Sequence, residues 1–126
     1  MKMPAIEPGN DVLVVDDDPN LCDIISDVLE AEGYNTRVAA NGREALELIR
    51  ERKPQLILLD LMMPVMNGWE LAAELKSRRE WADIPIVIIT ADYHAVRKKE
   101  ETGARAVITK PFDIDQLAEV VHAHAS

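Results

Sequence analysis

Short aliphatic runs recur along this chain, each released into a polar residue and then into apolar residues at helical spacing. Val12-Leu13-Val14-Val15 runs out into Asp16-Asp17-Asp18-Pro19, Leu56-Ile57-Leu58-Leu59 into Asp60, Ile86-Val87-Ile88-Ile89 into Thr90, and Ala106-Val107-Ile108 into Thr109-Lys110-Pro111. Runs so short and so uniformly apolar need cover on both faces, which a parallel sheet between helices supplies. Tyr34, Thr36 and Val38 alternate as one further strand, the second in chain order.

The intervening segments read as helices. Asp18 is a natural N-cap with Pro19 in the first turn, Leu21, Ile24, Ile25, Val28 and Leu29 recur inward, and Gly33 stops the helix. Asn41 with Glu44 resembles a capping box for a second helix, whose inward face is Ala45, Leu46, Leu48 and Ile49 and which ends before Pro54. Asn67 to about Arg79 predicts a third helix, buried through Trp69, Leu71, Ala72 and Leu75. Tyr93 to Glu101 is a charged fourth helix with only Ala95 and Val96 apolar, closed by Gly103, and is the element expected to move. Asp113 caps a last helix with Ile114, Leu117, Val120 and Val121 facing inward.

Five strands alternating with five helices specify an α/β domain with an all-parallel sheet and right-handed crossovers. Of the two common doubly wound orders, the five-stranded 2-1-3-4-5 arrangement, flavodoxin-like, fits this count. Residues 11–126 are expected to form one domain, with residues 1–10 as an N-terminal extension. In that order strands 1 and 3 are neighbours at the topological switch point, so Asp16 and Asp17 lie beside Asp60, and Thr90 and Lys110 end strands on the same edge.

Charge narrows the function. Acidic residues outnumber basic ones 23 to 14, and a net charge of −9 repels polyanions, which argues against nucleic-acid and anionic-membrane partners. The only cysteine, Cys22, can form no intramolecular disulfide, and no apolar stretch approaches the roughly 20 residues of a membrane span, so a cytoplasmic protein is expected. Three carboxylates at one sheet edge repel one another unless a counter-charge joins them, and hard oxygen ligands in a solvated cleft suit Mg²⁺. Mg²⁺ takes few protein ligands and leaves room for a phosphoryl group, to which Lys110 offers a point charge and Thr90 a hydroxyl. Asp60 then supplies the attacking oxygen and becomes an acyl phosphate. Taken singly, each of these residues has a plainer reading, as a cap, a surface lysine or a strand-end threonine; their joint placement at strand ends reverses the odds. Asp18 stays a cap, the side chains of Met62, Met63 and Met66 fill loop and core, and Trp69, Trp81 and Phe112 pack. His122 and His124, in a terminal turn, are assigned no function.

The run Asp60-Leu61-Met62-Met63-Pro64-Val65-Met66-Asn67-Gly68, with Asp16-Asp17, Thr90-Ala91 and Lys110-Pro111-Phe112, resembles the receiver domain of two-component response regulators over nearly the whole chain. The resemblance implies that Asp60 is the phosphoacceptor, that Asp17, Asp60 and the backbone carbonyl of Met62 coordinate Mg²⁺, and that Asp16 acts through a metal-bound water. It also implies that Thr90 repositions toward the phosphoryl oxygen, that Lys110 pairs with it, and that the Lys110-Pro111 peptide is cis. Met62 and Asp92 would flank the phosphoryl group and tune its lifetime. Partners implied are a sensor histidine kinase or histidine phosphotransfer protein and a downstream protein, in a monomer or a phosphorylation-dependent dimer. The only reactions expected of the chain are its own aspartyl phosphorylation and dephosphorylation. One departure stands out: the family usually carries Tyr or Phe where this chain has Val107, so its aromatic readout is missing, with Tyr93 the nearest aromatic beyond Thr90. A chain ending at Ser126 suggests a single-domain switch acting through its fourth and fifth helices and strand 5. Two alternatives compete with this reading. Asp16-x-Asp18 has the spacing of aspartyl-nucleophile phosphatases, but Pro19-Asn20 stands where those enzymes resemble Gly-Thr; a phosphorylation-independent binding module is favoured by Val107 and opposed by the intact acid site.

Overall fold

The computed structural model describes residues 11–92 and 99–125. Strands β1 (Asp11–Val15), β2 (Asn35–Ala39), β3 (Leu56–Asp60), β4 (Ile86–Thr90) and β5 (Ala106–Thr109) form one sheet in the order β2-β1-β3-β4-β5. Every pairing is parallel, with Val14 opposite Leu58, Leu58 opposite Val87 and Ile89 opposite Ile108. Helices α1 (Pro19–Ala31), α2 (Gly42–Glu51), α3 (Gly68–Lys76), α4 (Lys99–Thr102) and α5 (Ile114–His124) alternate with the strands. The doubly wound architecture expected from the sequence is the one observed.

Strand alternation builds two cores. Leu13, Val15, Ile57, Leu59, Ile86 and Ile88 face Ala45 and Ile49 of α2 and Leu71 and Leu75 of α3. Val12, Val14, Leu56, Leu58, Val87, Ile89 and Ile108 face Cys22, Ile25 and Leu29 of α1 and Leu117 and Val121 of α5. The central strands β1, β3 and β4 are buried along their whole length, which is why they read as unbroken apolar runs.

Several inward assignments are corrected. Ile24 is 50% exposed, because the buried arc of α1 runs through Cys22, Ile25 and Leu29 and a residue two positions from Cys22 lies about 200° round the wheel. Ile114 is 51% exposed because it heads α5 at the rim of the sheet. On the edge strand β2, Val38 is exposed, a position for which the sequence makes no inward assignment. Trp69 is only partly buried, whereas Trp81 is buried and flanked by the guanidinium groups of Arg50 and Arg78, 6.0 and 5.1 Å from its ring centre. The third helix ends at Lys76, short of Arg79, and a turn-rich segment leads on to β4.

Caps fall largely as expected. Asp18 accepts hydrogen bonds from the N–H groups of Asn20 and Leu21, and Asp113 accepts one from Asp115. Asn41 accepts from Glu44 N–H, but the Glu44 carboxylate returns to Ala40 N–H and leaves the box half closed; the full reciprocal box is Asn67 with Glu70. Gly33 and Gly103 adopt positive φ of 98° and 71° where α1 and α4 end. The expected N-terminal extension, Tyr93 and the first part of the expected fourth helix lie outside the described residues. Among the described residues no helix is long and apolar enough to cross a membrane.

Candidate functional site

Strands β1 and β3 are neighbours, and both discharge acids at the same edge of the sheet. Asp16 follows β1 directly and is 2% exposed; Asp60 is the last residue of β3 and is 5% exposed. Exposed Asp17 completes the group, and each of the three offers a carboxylate oxygen within 4.8 Å of the others. They are, among the described residues, the one cluster of three or more such side chains placed to share a cation.

Lys110 enters from the β5–α5 turn, where its N–H donates to the Thr90 carbonyl at 2.7 Å and the following Lys110–Pro111 peptide is cis, as the resemblance implies. Its ammonium donates to Asp16 Oδ2 at 2.8 Å and stands 3.7 Å from Asp60 Oδ2, so its nearer partner is Asp16. Thr90 is fully buried at the end of β4, and its hydroxyl oxygen accepts from Asp92 N–H at 3.1 Å. Met62 N–H donates to Asp60 Oδ1 at 3.3 Å, which sets the backbone of the β3–α3 loop against the carboxylate, while the Met62 side chain points out to solvent.

Burial is the first cause that pushes the Asp60 carboxyl up, to about 6, and the charge of Asp16 adds to it; Lys110 and the Met62 N–H oppose. Burial pulls the other way at Lys110, but its bond to Asp16 and the charge of Asp60 prevail and raise its affinity for a proton. The lysine is a fixed cation here. Asp16 is itself held by Asp18 N–H on Oδ1 at 3.0 Å and by the Cys22 thiol, which donates to its backbone carbonyl at 3.3 Å. Burial and the acids around it push that thiol up to about 11, so Cys22 is a packed neighbour of the site with no thiolate character at neutral pH.

The residues fit a hard divalent cation. The donor set is all oxygen, it is solvated on the Asp17 side, and one lysine against three carboxylates leaves it short of neutral. A cation held there would offset both the burial and the Asp16 charge that raise the Asp60 carboxyl.

The β3–α3 loop carries features that residue types alone did not announce. Met66 N–H bonds the Pro64 carbonyl at 2.8 Å across Val65, whose φ is +67°, a γ-turn of the strained positive-φ kind on a β-branched residue. Gly68 N–H closes the loop on the Leu61 carbonyl at 3.0 Å, and a Cβ on Gly68 would collide with the Asp60 carbonyl oxygen and Leu61 Cα. Also missed was the pairing of Lys110 with Asp16. His122 and His124 take no part in this site; His122 instead bonds Tyr34 Oη at 2.8 Å and Glu32 at 3.0 Å, tying α5 to the α1–β2 turn. Val107, at the position where the family usually has an aromatic, packs partly buried on the α2–α3 side of the sheet.

Comparison with known proteins agrees with this geometry. The signature of the response regulator receiver domain matches residues 12–122. The DNA-binding response regulator MtrA of Mycolicibacterium smegmatis is 41% identical over 114 residues, which cover 89% of this chain but only 49% of MtrA, so the chain spans about half the length of that relative. Sporulation initiation phosphotransferase F of Bacillus subtilis is 36% identical over 112 residues, covering 87% of this chain and 89% of that protein. Among solved structures, the signal receiver domain of a histidine kinase from Syntrophus aciditrophicus superposes with a TM-score of 0.84 at 34% identity, covering 92% of this chain and 89% of its own. Chemotaxis protein CheY4 of Vibrio cholerae does so with a TM-score of 0.84 at 28% identity, over 90% and 97% of the two chains. The chain belongs to the receiver-domain family of two-component response regulators.

Proposed function

We propose that this chain is a phosphoacceptor switch in which Asp60 takes a phosphoryl group from a phosphohistidine and thereby changes contacts with a downstream protein. The observation that carries it is the convergence of Asp16, Asp17, Asp60 and Lys110 at one sheet edge. Asp16, Asp17, Asp60 and the backbone carbonyl of Met62 would hold Mg²⁺, which when bound supplies a Lewis acid for a phosphoryl oxygen and neutralises the cluster.

Asp60 presents the nucleophile: one carboxylate oxygen bonds phosphorus as the phosphorus–nitrogen bond of the donor breaks, and the donor histidine leaves as imidazole. Lys110, whose ammonium stands 3.7 Å from Asp60, would pair with the transferred group, and Thr90 would reposition to give its hydroxyl hydrogen to a phosphoryl oxygen. Hydrolysis of the acyl phosphate would reset the switch, and Met62 and Asp92, each two residues beyond a site residue, would tune its rate. No reaction on another substrate is proposed. The donor is a sensor histidine kinase or a histidine phosphotransfer protein, the compartment is the cytoplasm, and the partner on either side is a protein. DNA binding is named for MtrA, and a domain of net charge −9 is a poor polyanion ligand by itself.

Intact mass after incubation with acetyl phosphate and Mg²⁺ tests the reading. Wild type is expected to gain one phosphoryl mass, and Asp60→Asn or chelation of the metal to abolish it. A wild-type protein that takes up no phosphoryl group and also binds no beryllofluoride with Mg²⁺ would overturn it in favour of a binding module.

A further inference from the structure

The loop that carries Met62 past the acidic cluster leans on a neighbour outside the site. Met66, at its far end, accepts a hydrogen bond on its backbone carbonyl from Gly42 N–H at 2.9 Å, at the first turn of α2. The approach is close enough that a Cβ on Gly42 would stand 2.7 Å from Met66 Cγ and 3.0 Å from both Met66 O and Sδ. The tightest of these contacts is to the Met66 side chain, close to its root, while the carbonyl oxygen at 3.0 Å is backbone and leaves Met66 little room to retreat. The loop is therefore pinned at its two ends, by Leu61–Gly68 and by Gly42–Met66, with the positive-φ turn at Val65 between the pins.

We propose that Gly42 is a positioning residue for the metal-binding loop: by admitting Met66, side chain and carbonyl together, against the start of α2 it fixes the path of residues 62–66, and with it the Met62 backbone beside Asp60. Gly42 touches neither phosphoryl group nor metal, and its effect passes through Met66. The proposal rests on the reading above that this cluster holds Mg²⁺. A side chain at position 42 pushes Met66 away and turns the loop, while α2 itself tolerates alanine at a helical position.

The test compares Mg²⁺ affinity, by calorimetric titration of the intact chain, in wild type, Gly42→Ala, Met66→Ala and the double variant, alongside the metal-free thermal melt of each. Expected is a weakening of Mg²⁺ binding by roughly tenfold in Gly42→Ala, the scale seen when a group supporting a metal ligand is lost. The cooperative melt should be retained, and most of the affinity should return in the double variant relative to Met66→Ala. Unchanged affinity in Gly42→Ala would overturn the proposal. So would a loss that Met66→Ala does not relieve, or one that only tracks a lower melting temperature. If wild type itself binds no Mg²⁺, the function proposed above fails, and the brace is judged separately by amide resonances: those of residues 62–68 must move in Gly42→Ala, and their staying put would overturn it.

Discussion

Burial makes ionisation of Asp60 costly even with Lys110 3.7 Å away, and that has a measurable consequence for stability. Its carboxyl stands at about 6 in the folded protein against an ordinary 3.8, chiefly through burial and then through Asp16. A group raised on folding contributes stability that is fully present below the unfolded value and is lost as pH climbs through the folded one. For the metal-free protein this loss builds up between about pH 4 and 6 and amounts, above that, to on the order of 3 kcal/mol. Asp60→Asn imitates the protonated acid at every pH. In chelator the variant should therefore melt well above wild type at pH 7.5, with the gap closing as pH falls from about 6 toward 4; a gap that does not change with pH would show that Asp60 is not the strained group. The site acids were legible in the sequence because each stands at the end of an apolar run, so strand order alone brings them together. The turn at Val65 was not, because neither Pro64 nor Met66 demands it and a valine argues against positive φ, while the bonds Gly42–Met66 and Gly68–Leu61 that flank it join residues no local pattern pairs.

Elements were legible where burial is complete and less so at rims and edges. The aliphatic runs of β1, β3 and β4 could be nothing but central strands, whereas Ile24 and Ile114 look inward by composition and are set outward by helix phase and by a position at the helix start. At the opposite edge of the sheet, Asp11 opens β1 at 3% exposure and is gripped by Arg37 of β2 at 2.7 and 3.3 Å and by Arg52 beyond α2 at 3.2 and 3.4 Å. Arg37 also donates to the carbonyls of Leu48 and Arg52, so one guanidinium joins β1, β2 and the end of α2. No periodicity marks such a clamp, since its members lie 26 and 41 residues from Asp11 in sequence. Removing the acid leaves Arg37 mostly buried without its counter-charge. Asp11→Ala is expected to lose about 2–3 kcal/mol, discounted from a fully buried pair because Arg52 is half exposed. The urea midpoint reads this directly, and a shift under roughly 0.5 kcal/mol, the size of an ordinary surface substitution, would mean that the clamp is idle.

At the scale of the molecule, the fold gathers three carboxylates at one sheet edge of a chain that already carries −9 overall. Both facts make cations stabilising, but by different routes that can be separated. Diffuse attraction of any cation to an acidic protein depends on ionic strength and is met equally by K⁺. A site formed only in the folded state adds RT ln(1 + [Mg²⁺]/Kd), which at ten times Kd is about 1.4 kcal/mol. For a domain of this size that corresponds to roughly 5 °C in melting temperature. Wild type in Mg²⁺ should therefore melt about that much higher than in KCl of matched ionic strength, and the shift should keep growing with the logarithm of the Mg²⁺ concentration. Asp60→Asn, lacking the carboxylate proposed as a ligand and starting from a relieved cluster, should respond much less. Equal melting in Mg²⁺ and matched KCl would reduce the acidic edge to general electrostatics. A Mg²⁺ response of the same size in Asp60→Asn would place the ion elsewhere on the acidic surface, away from the carboxylate that β3 delivers.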